Sequence, residues 1–331
     1  MSERAEQGQT LWIGEAEVVE LLGVEEAIDV LQTAYRLRSQ GLAESMRRAH
    51  VREGDAILHA VGGTIAGRGL AGTKTWLYTP GGASPLLILF SLGDGSVLAA
   101  IEAFAMGQMR TSATTGLATR VMANPDAETL ALLGTGKQAF SQAQAVSCVR
   151  PIREIRLFGR RVEPRANLAA RLREELGVEV SEHGDPGSAV DGASVVVAIT
   201  RSAEPYLKGE WLSPGAHVNA VGAIVPARRE LEAGVISRSS LVAADSVAQA
   251  RDDSGELRAA VDAGSLAWDD VRDLSEIVDS PPESLREPEQ ITVFKALGVG
   301  LSDVALGAEL LRRARAAGVG RPVETSQMSH S

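Results

Sequence analysis

A five-residue apolar run, Thr129–Leu133, passes directly into Gly134-Thr135-Gly136-Lys137-Gln138-Ala139, and no other stretch constrains the fold of this 331-residue chain as strongly. The run has the length of a buried strand, and residues 137–149 after it carry apolar side chains at helical spacing. A glycine-rich turn between a buried strand and a helix gathers free backbone N–H groups at the positive end of a helix dipole, a ready receptor for phosphate. In the pattern GxGxxA each small residue has a task. Gly134 makes the tight turn, Gly136 lets a pyrophosphate approach the backbone, and Ala139 lets the helix pack closely on the strand. The motif predicts a Rossmann dinucleotide-binding fold with Gly134, Thr135, Gly136, Lys137 and Gln138 at the cofactor.

The flanking chain agrees. Short apolar strands are predicted at Thr129–Leu133, Glu154–Phe158, Val178–Val180, Ser194–Ile199, His217–Val221 and Leu241–Ala244, with helices over residues 137–149 and Val162–Leu176 between the first pairs. Strands apolar almost throughout, alternating with helices, imply a parallel sheet covered on both faces. Upstream the pattern differs. Two helices, Glu15–Leu22 and Val24–Gln40, are followed by β-like runs at Ala56–Val61, Leu70–Tyr78, Pro85–Phe90 and Val97–Ala103, with Asp94-Gly95 as a hairpin turn. This is an antiparallel meander. Ala105–Ala123 reads as a bridging helix broken at Asn124-Pro125-Asp126, Ser302–Ala317 as a final helix and Gly318–Ser331 as a frayed tail. The expected fold class is α/β: a doubly wound parallel sheet plus a discontinuous α+β domain.

Composition narrows the function classes. A length of 331 residues, 44% hydrophobic and 23% charged, fits two domains with proper cores. A formal charge of −10 argues against a nucleic-acid footprint. The densest basic stretch, residues 150–173, is interleaved with Glu and reads as a helix face. The single cysteine, Cys148, rules out an internal disulfide framework and suits a reducing cytoplasm; it lies in a helical run and reads as core. The first ten residues are polar, and no apolar run approaches the ~18 residues of a membrane helix, so a cytoplasmic protein without membrane contact is expected. No Cys/His/acid cluster has metal-ligand spacing, which predicts no metal, and no serine sits in a nucleophile elbow.

The end of the second predicted strand bears on the choice of dinucleotide. Leu157-Phe158 runs into Gly159-Arg160-Arg161, with no acid before Glu163 to hold a ribose 2′-hydroxyl. Arg160 and Arg161 suit a 2′-phosphate, because guanidinium makes charge-assisted, often bidentate bonds to phosphate. NADP is therefore expected ahead of NAD, which stays open.

Several further motifs occur in one order. Arg110-Thr111-Ser112-Ala113-Thr114-Thr115-Gly116-Leu117-Ala118 resembles the RTxAxxxxA helix of the ornithine cyclodeaminase/mu-crystallin family. The resemblance continues through GTGKQA, His217-Val218-Asn219-Ala220-Val221-Gly222-Ala223 and Thr292-Val293-Phe294-Lys295-Ala296-Leu297-Gly298, followed by Asp303. Upstream, Arg48 and the Lys74 of Gly72-Thr73-Lys74 fit the family's substrate-binding Arg and Lys. The resemblance implies a homodimer in which residues 1–117 with 305–331 bind substrate and dimerise, and residues 118–304 form the Rossmann domain. It also implies hydride exchange between a nicotinamide and a carbon bearing nitrogen and carboxylate. Arg48, Lys74 and Arg110 would hold the carboxylate; Arg110, Thr111, Thr200, Asn219, Val221, Gly222 and Gly298 would lie at the cofactor.

The residues themselves bear on these roles. A carboxylate substrate needs fixed cations, and Arg suits planar bidentate recognition. Arg47, adjacent to Arg48, competes for that role. Lys74 lies in the apolar strand Leu70–Tyr78, where a Lys is costly unless paired or functional, although strand alternation can also turn it to solvent. It is the first choice for carboxylate binding or proton transfer. His217 reads as a packed strand residue, Glu230 and Asp303 as structural, and His59, on a meander strand, is assigned no role. The departure from the family is Ile224. Cyclodeaminases carry an Asp just after this Val-Gly-(Gly/Ala), and Ile cannot titrate. Cyclisation with loss of ammonia needs several proton transfers, whereas reduction of a preformed imine mainly needs positioning. The expected activity is thus NAD(P)H-dependent reduction of a 2-imino acid. An alanine-type dehydrogenase, a cyclodeaminase and a non-catalytic NADPH-binding protein follow in that order.

Overall fold

Residues 9–280 and 286–325 are described by a computed structural model. The chain divides into two units, residues 1–110 with 299–331 and residues 111–298. Both boundaries fall a few residues before the expected ones. The first lies inside the continuous helix Phe104–Met122, which offers no break in sequence to mark it. The second follows Gly298, whose φ of 82° turns the chain.

The first unit begins with β1 (Thr10–Ile13), where no element was expected from the sequence. Two helices follow, Glu15–Leu21 and Val24–Ser39. Each starts on a glycine whose N–H donates to a glutamate three residues on, Gly14 to Glu17 at 2.7 Å and Gly23 to Glu26 at 3.0 Å, which satisfies a donor left free at a helix end. Then come β2 (Ala43–Ser45), β3 (Ala49–Glu53), β4 (Ala56–Ile65), β5 (Leu70–Tyr78), β6 (Leu86–Ser91) and β7 (Val97–Glu102). The last four form the expected antiparallel meander, with Gly95 at φ 73° in the β6–β7 turn. β1, β2 and β3 were not anticipated; β2 and β3 carry polar and charged residues rather than an apolar run.

In the second unit β8 (Thr129–Leu133), β9 (Glu154–Phe158), β10 (Glu179–His183), β11 (Val195–Ala198), β12 (His217–Ala220), β13 (Ser239–Ala244), β14 (Val271–Asp273) and β15 (Ile291–Lys295) form one parallel sheet. Its order is β10-β9-β8-β11-β12-β15-β13-β14. The direction of winding reverses between β8 and β11, the place where such sheets receive ligands beyond the carboxyl ends of their strands. β14 and β15 are additions to the expected strands. β15 is buried on both faces and therefore shows no alternation to read.

The chain then re-enters the first unit through the helix Gly300–Ala317, which lies on β4, β5 and β6 and on the helix Val24–Ser39. Nearly its whole N-terminal two-thirds is buried. The tail is not wholly frayed. Arg321–Val323 forms β16, antiparallel to β1, while β1 runs parallel to β7, so the sheet order is β16-β1-β7-β6-β5-β4-β2 with β3 also on β4. Residues 326–331 of that tail lie outside the described residues. Cys148, expected in the core, is exposed because it caps the end of the helix Ala139–Ser147. Among the described residues no helix is long and apolar enough to cross a membrane.

Candidate active site

Lys74 is almost fully buried in the middle of β5, so its charge must be answered inside the first unit. The answer is Asp303, one turn into the helix Gly300–Ala317. Its Oδ1 accepts a short bond from the Lys74 ammonium and lies 3.6 Å from Nε of Arg110. Close backbone approach brings the two elements together. A Cβ on Gly300 would meet the backbone N of Gly62 in β4, the strand paired with β5, at 2.1 Å, so glycine is required there, and one on Gly72 would stand 3.2 Å from Val304 of the helix. Burial pulls the Lys74 ammonium down to about 8 against the opposing field of Asp303, and Arg110 and Arg48 push it the same way.

Of the two adjacent arginines, Arg48 is the half-buried one, and its field reaches both Lys74 and His59; Arg47 is exposed. Arg110 is half-buried on the helix Phe104–Met122, one turn after Gly107, where a Cβ would stand 3.7 Å from Lys74 Nζ. Lys74 and Arg110 thus flank the Asp303 carboxylate while the charge of Arg48 acts on Lys74, and the second oxygen of Asp303 is buried without a hydrogen-bond partner. Cations grouped in this way suit a carboxylate ligand. Asp303, read from sequence as structural, is the anion that holds it together.

In the second unit the turn after β8 has the geometry a dinucleotide demands. Gly134 has φ 133°, and a Cβ there would meet the Ile199 carbonyl at 2.6 Å. Gly136 and Lys137 are exposed, and a Cβ on Gly136 would meet nothing within 4 Å. A Cβ on Gly159, at the end of β9, would meet Thr135 at 2.5 Å. The helix opens at Ala139 rather than at Lys137, with Gln138 as its cap, and the buried Oε1 of Gln138 has no hydrogen-bond partner. An open glycine backbone, a helix start and an unanswered polar atom fit a pyrophosphate-bearing cofactor. Arg160 and Arg161 are exposed beyond β9, and Arg161 caps the helix Val162–Leu176.

The turns after β11 and β12 are fixed by one carboxylate. Oε1 of the fully buried Glu230 accepts from the Thr200 N–H and hydroxyl, each at 2.6 Å, and from the Tyr206 hydroxyl at 3.3 Å; Oε2 accepts from the Gly222 N–H at 2.7 Å. The N–H groups of Thr200 and Gly222 are therefore turned to Glu230. Burial pushes Glu230 up, and these hydrogen bonds pull it back. A second layer supports it. The Glu230 N–H donates to Glu256 at 3.0 Å, Glu256 lies 3.2 Å from the buried Lys295 ammonium, and Lys295 donates to the Ala223 carbonyl. Val221 is buried, and Ile224, next along this loop, is exposed.

The other expected residues are placed as follows. Asn219 is fully buried and donates to Thr119 at 3.0 Å. The Gly298 N–H donates to Oδ2 of buried Asp245 at 2.6 Å, as Leu297 does at 2.9 Å. Thr111 is half-buried at the start of the second unit. His217 is buried with Nδ1 2.8 Å from the Thr292 hydroxyl, and burial drives it down to about 3, so it is neutral at ordinary pH. Asp245, Glu256 and Lys295 were not singled out in the sequence. The signal for Asp245 and Lys295 was charge at the end of an apolar run, most visibly Lys295 after Val293-Phe294, while Glu256 stands in a polar stretch that offered none.

Known proteins resemble this chain along most of its length. A model of the ornithine cyclodeaminase/mu-crystallin family matches residues 10–317. A Delta(1)-pyrroline-2-carboxylate reductase of Bacillus cereus is 31% identical over 240 residues, 72% of this chain and 74% of that one. Among solved structures, an iminosuccinate reductase of Paracoccus denitrificans in complex with NAD+ superposes at a TM-score of 0.89, with 25% identity, 96% of this chain and 100% of that one. An archaeal alanine dehydrogenase dimer with bound NAD superposes at 0.87, with 26% identity, 96% of this chain and 99% of that one.

Proposed function

The chain belongs to the ornithine cyclodeaminase/mu-crystallin family and is an oxidoreductase; on that premise we propose that it reduces 2-imino carboxylates to 2-amino acids with a nicotinamide dinucleotide. The observation that carries the reading is the buried Lys74, set among Arg48, Arg110 and Asp303. A 2-imino acid brings a carboxylate, which suits a group of cations. Arg48 and Arg110 bind and orient it, and Lys74, brought down to about 8 by burial, holds a proton for the imine nitrogen or contributes its charge to the carboxylate. Asp303 keeps the ammonium in place. The bound dinucleotide supplies the hydride, and residues 134–138 would hold its pyrophosphate. Glu230 holds the turns at Thr200 and Gly222 in one arrangement, so a ring bound beside them meets a fixed surface. NADPH is the preferred donor in this reading because Arg160 and Arg161, with no carboxylate before Glu163, match a 2′-phosphate.

Ile224 favours reduction over cyclodeamination. It cannot move a proton on a substrate amine, and a preformed imine does not ask it to. The reading also takes the protein as a homodimer. Val51, Leu58 and Leu77 lie in register across β3, β4 and β5, and are 69%, 49% and 50% exposed. An apolar row of this kind on an edge of a sheet supports self-association. The experiment is NADPH oxidation over Δ1-pyrroline-2-carboxylate, Δ1-piperideine-2-carboxylate, and pyruvate with methylamine or with ammonia. Turnover of preformed imines well above that with ammonia is expected. Ammonia plus pyruvate as the best pair would point to an alanine-type dehydrogenase, ammonia release from ornithine to a cyclodeaminase, and tight NADPH binding with no turnover to a non-catalytic protein.

A further inference from the structure

Next to Lys74, and with no task in the reaction above, stand two aromatic rings. Lys74 and Trp76 are two residues apart on β5 and so project from the same face of the sheet. Across the strands His59 of β4 is paired with Trp76, and His50 of β3 with His59. The His59 and Trp76 rings stack with centroids 4.7 Å apart and planes at 19°, and His50 follows at 6.1 Å. Lys74 Nζ lies 5.3 Å from the centre of the Trp76 ring. Trp76 and His59 are both half-buried, and the buried Nδ1 of His59 has no hydrogen-bond partner. The field of Arg48 reaches His59 as it reaches Lys74.

We propose that the stacked Trp76 and His59 rings are the wall on which the carbon skeleton of the substrate lies, so that the site selects a flat ring imine carboxylate over a small acyclic one. The inference rests on the reduction reading for what is bound, and on geometry for where. A carboxylate bonded to Lys74 has its nearest carbons within reach of an indole 5.3 Å from the same nitrogen. In a cyclic imine carboxylate the C=N bond, the carboxylate and most of the ring lie near one plane, which matches an aromatic face. The ring methylenes cover apolar indole surface, and the protonated C=N group is a delocalised cation that an indole attracts. A methyl-sized side chain covers little of it. Stacking on His59 holds the indole in one orientation before anything binds, so little side-chain freedom is lost on binding.

The test compares kcat/KM on Δ1-pyrroline-2-carboxylate with kcat/KM on the imine of pyruvate and methylamine, in the full-length protein at saturating NADPH. The wall predicts that the ratio of the two falls by about tenfold or more in Trp76→Ala, mainly through KM on the ring substrate, and that Trp76→Phe keeps most of it. An unchanged ratio overturns the wall. Calorimetric binding of pyrrole-2-carboxylate, a flat ring acid that cannot be reduced here, makes the result independent of turnover. Binding weakened about tenfold or more by Trp76→Ala, in a protein that reduces no imine, would support the wall and reject the reaction. Equal binding by both proteins, or binding by neither, would overturn the wall.

Discussion

Replacing Lys74 by Met is expected to lower kcat/KM for imine reduction by about a thousandfold or more. General acid catalysis contributes on the order of 100- to 10,000-fold, and a charge-assisted bond to a carboxylate about 1.5–3 kcal/mol. NADPH binding, which uses residues 134–138, should be largely kept. The pH dependence follows from the same group. Burial holds Lys74 near 8, so the working ammonium is present below that pH and is lost as pH rises through it. The wild-type kcat/KM should therefore fall on the alkaline side of about 8, and Lys74→Met should lose that limb. Removing one partner of a buried ion pair costs about 3–5 kcal/mol, because Asp303 is left with Arg110 alone at 3.6 Å. The double variant Lys74→Met with Asp303→Asn should recover thermal stability and leave turnover lost, which separates folding from chemistry. Retained turnover in Lys74→Met, measured by initial rates, would remove the site proposed here.

The second large effect concerns the dinucleotide. In the variant carrying both Arg160→Ser and Arg161→Ser, KM for NADPH is expected to rise by about 100-fold, while KM for NADH changes by no more than about threefold. Each guanidinium–phosphate bond contributes about 1.5–3 kcal/mol, and NADH has no 2′-phosphate to lose it from. Both side chains are exposed, so solvent screening sets the effect toward the lower end of that range. Initial rates with the two cofactors decide the matter. A wild-type protein that prefers NADH, or equal changes for both cofactors, would make these arginines ordinary surface charges.

What the sequence conveyed, and what it withheld, follows from how far each signal travels along the chain. The GxGxxA turn is local, and the strands around it are apolar runs of ordinary length, so β8 and β9 were readable to the residue. β1 and β16 each hold fewer than five residues, and pairing ranges far apart in sequence created them. Lys74 was conspicuous because it interrupts an apolar strand. Asp303, its partner, was not, since an acid in the first turn of a helix is already accounted for by the helix dipole. Glu230 shows the same limit more sharply. In sequence it is one acid in Arg228-Arg229-Glu230, and only the folded sheet brings Thr200, Gly222 and Tyr206 to its two oxygens. The stack of His59 on Trp76 depends on strand register, which neither residue announces.

The central claim is that hydride goes to the carbon of a C=N bond next to a carboxylate. It is tested most directly with NADPH carrying deuterium at the transferable position of the nicotinamide ring, using Δ1-pyrroline-2-carboxylate and mass spectrometry of the amino acid formed. The account predicts one deuterium at the carbon bearing the carboxylate for each NADPH oxidised, and loss of the labelled product in Lys74→Met. Amino acid without deuterium, or NADPH unchanged while ornithine loses ammonia, would contradict it.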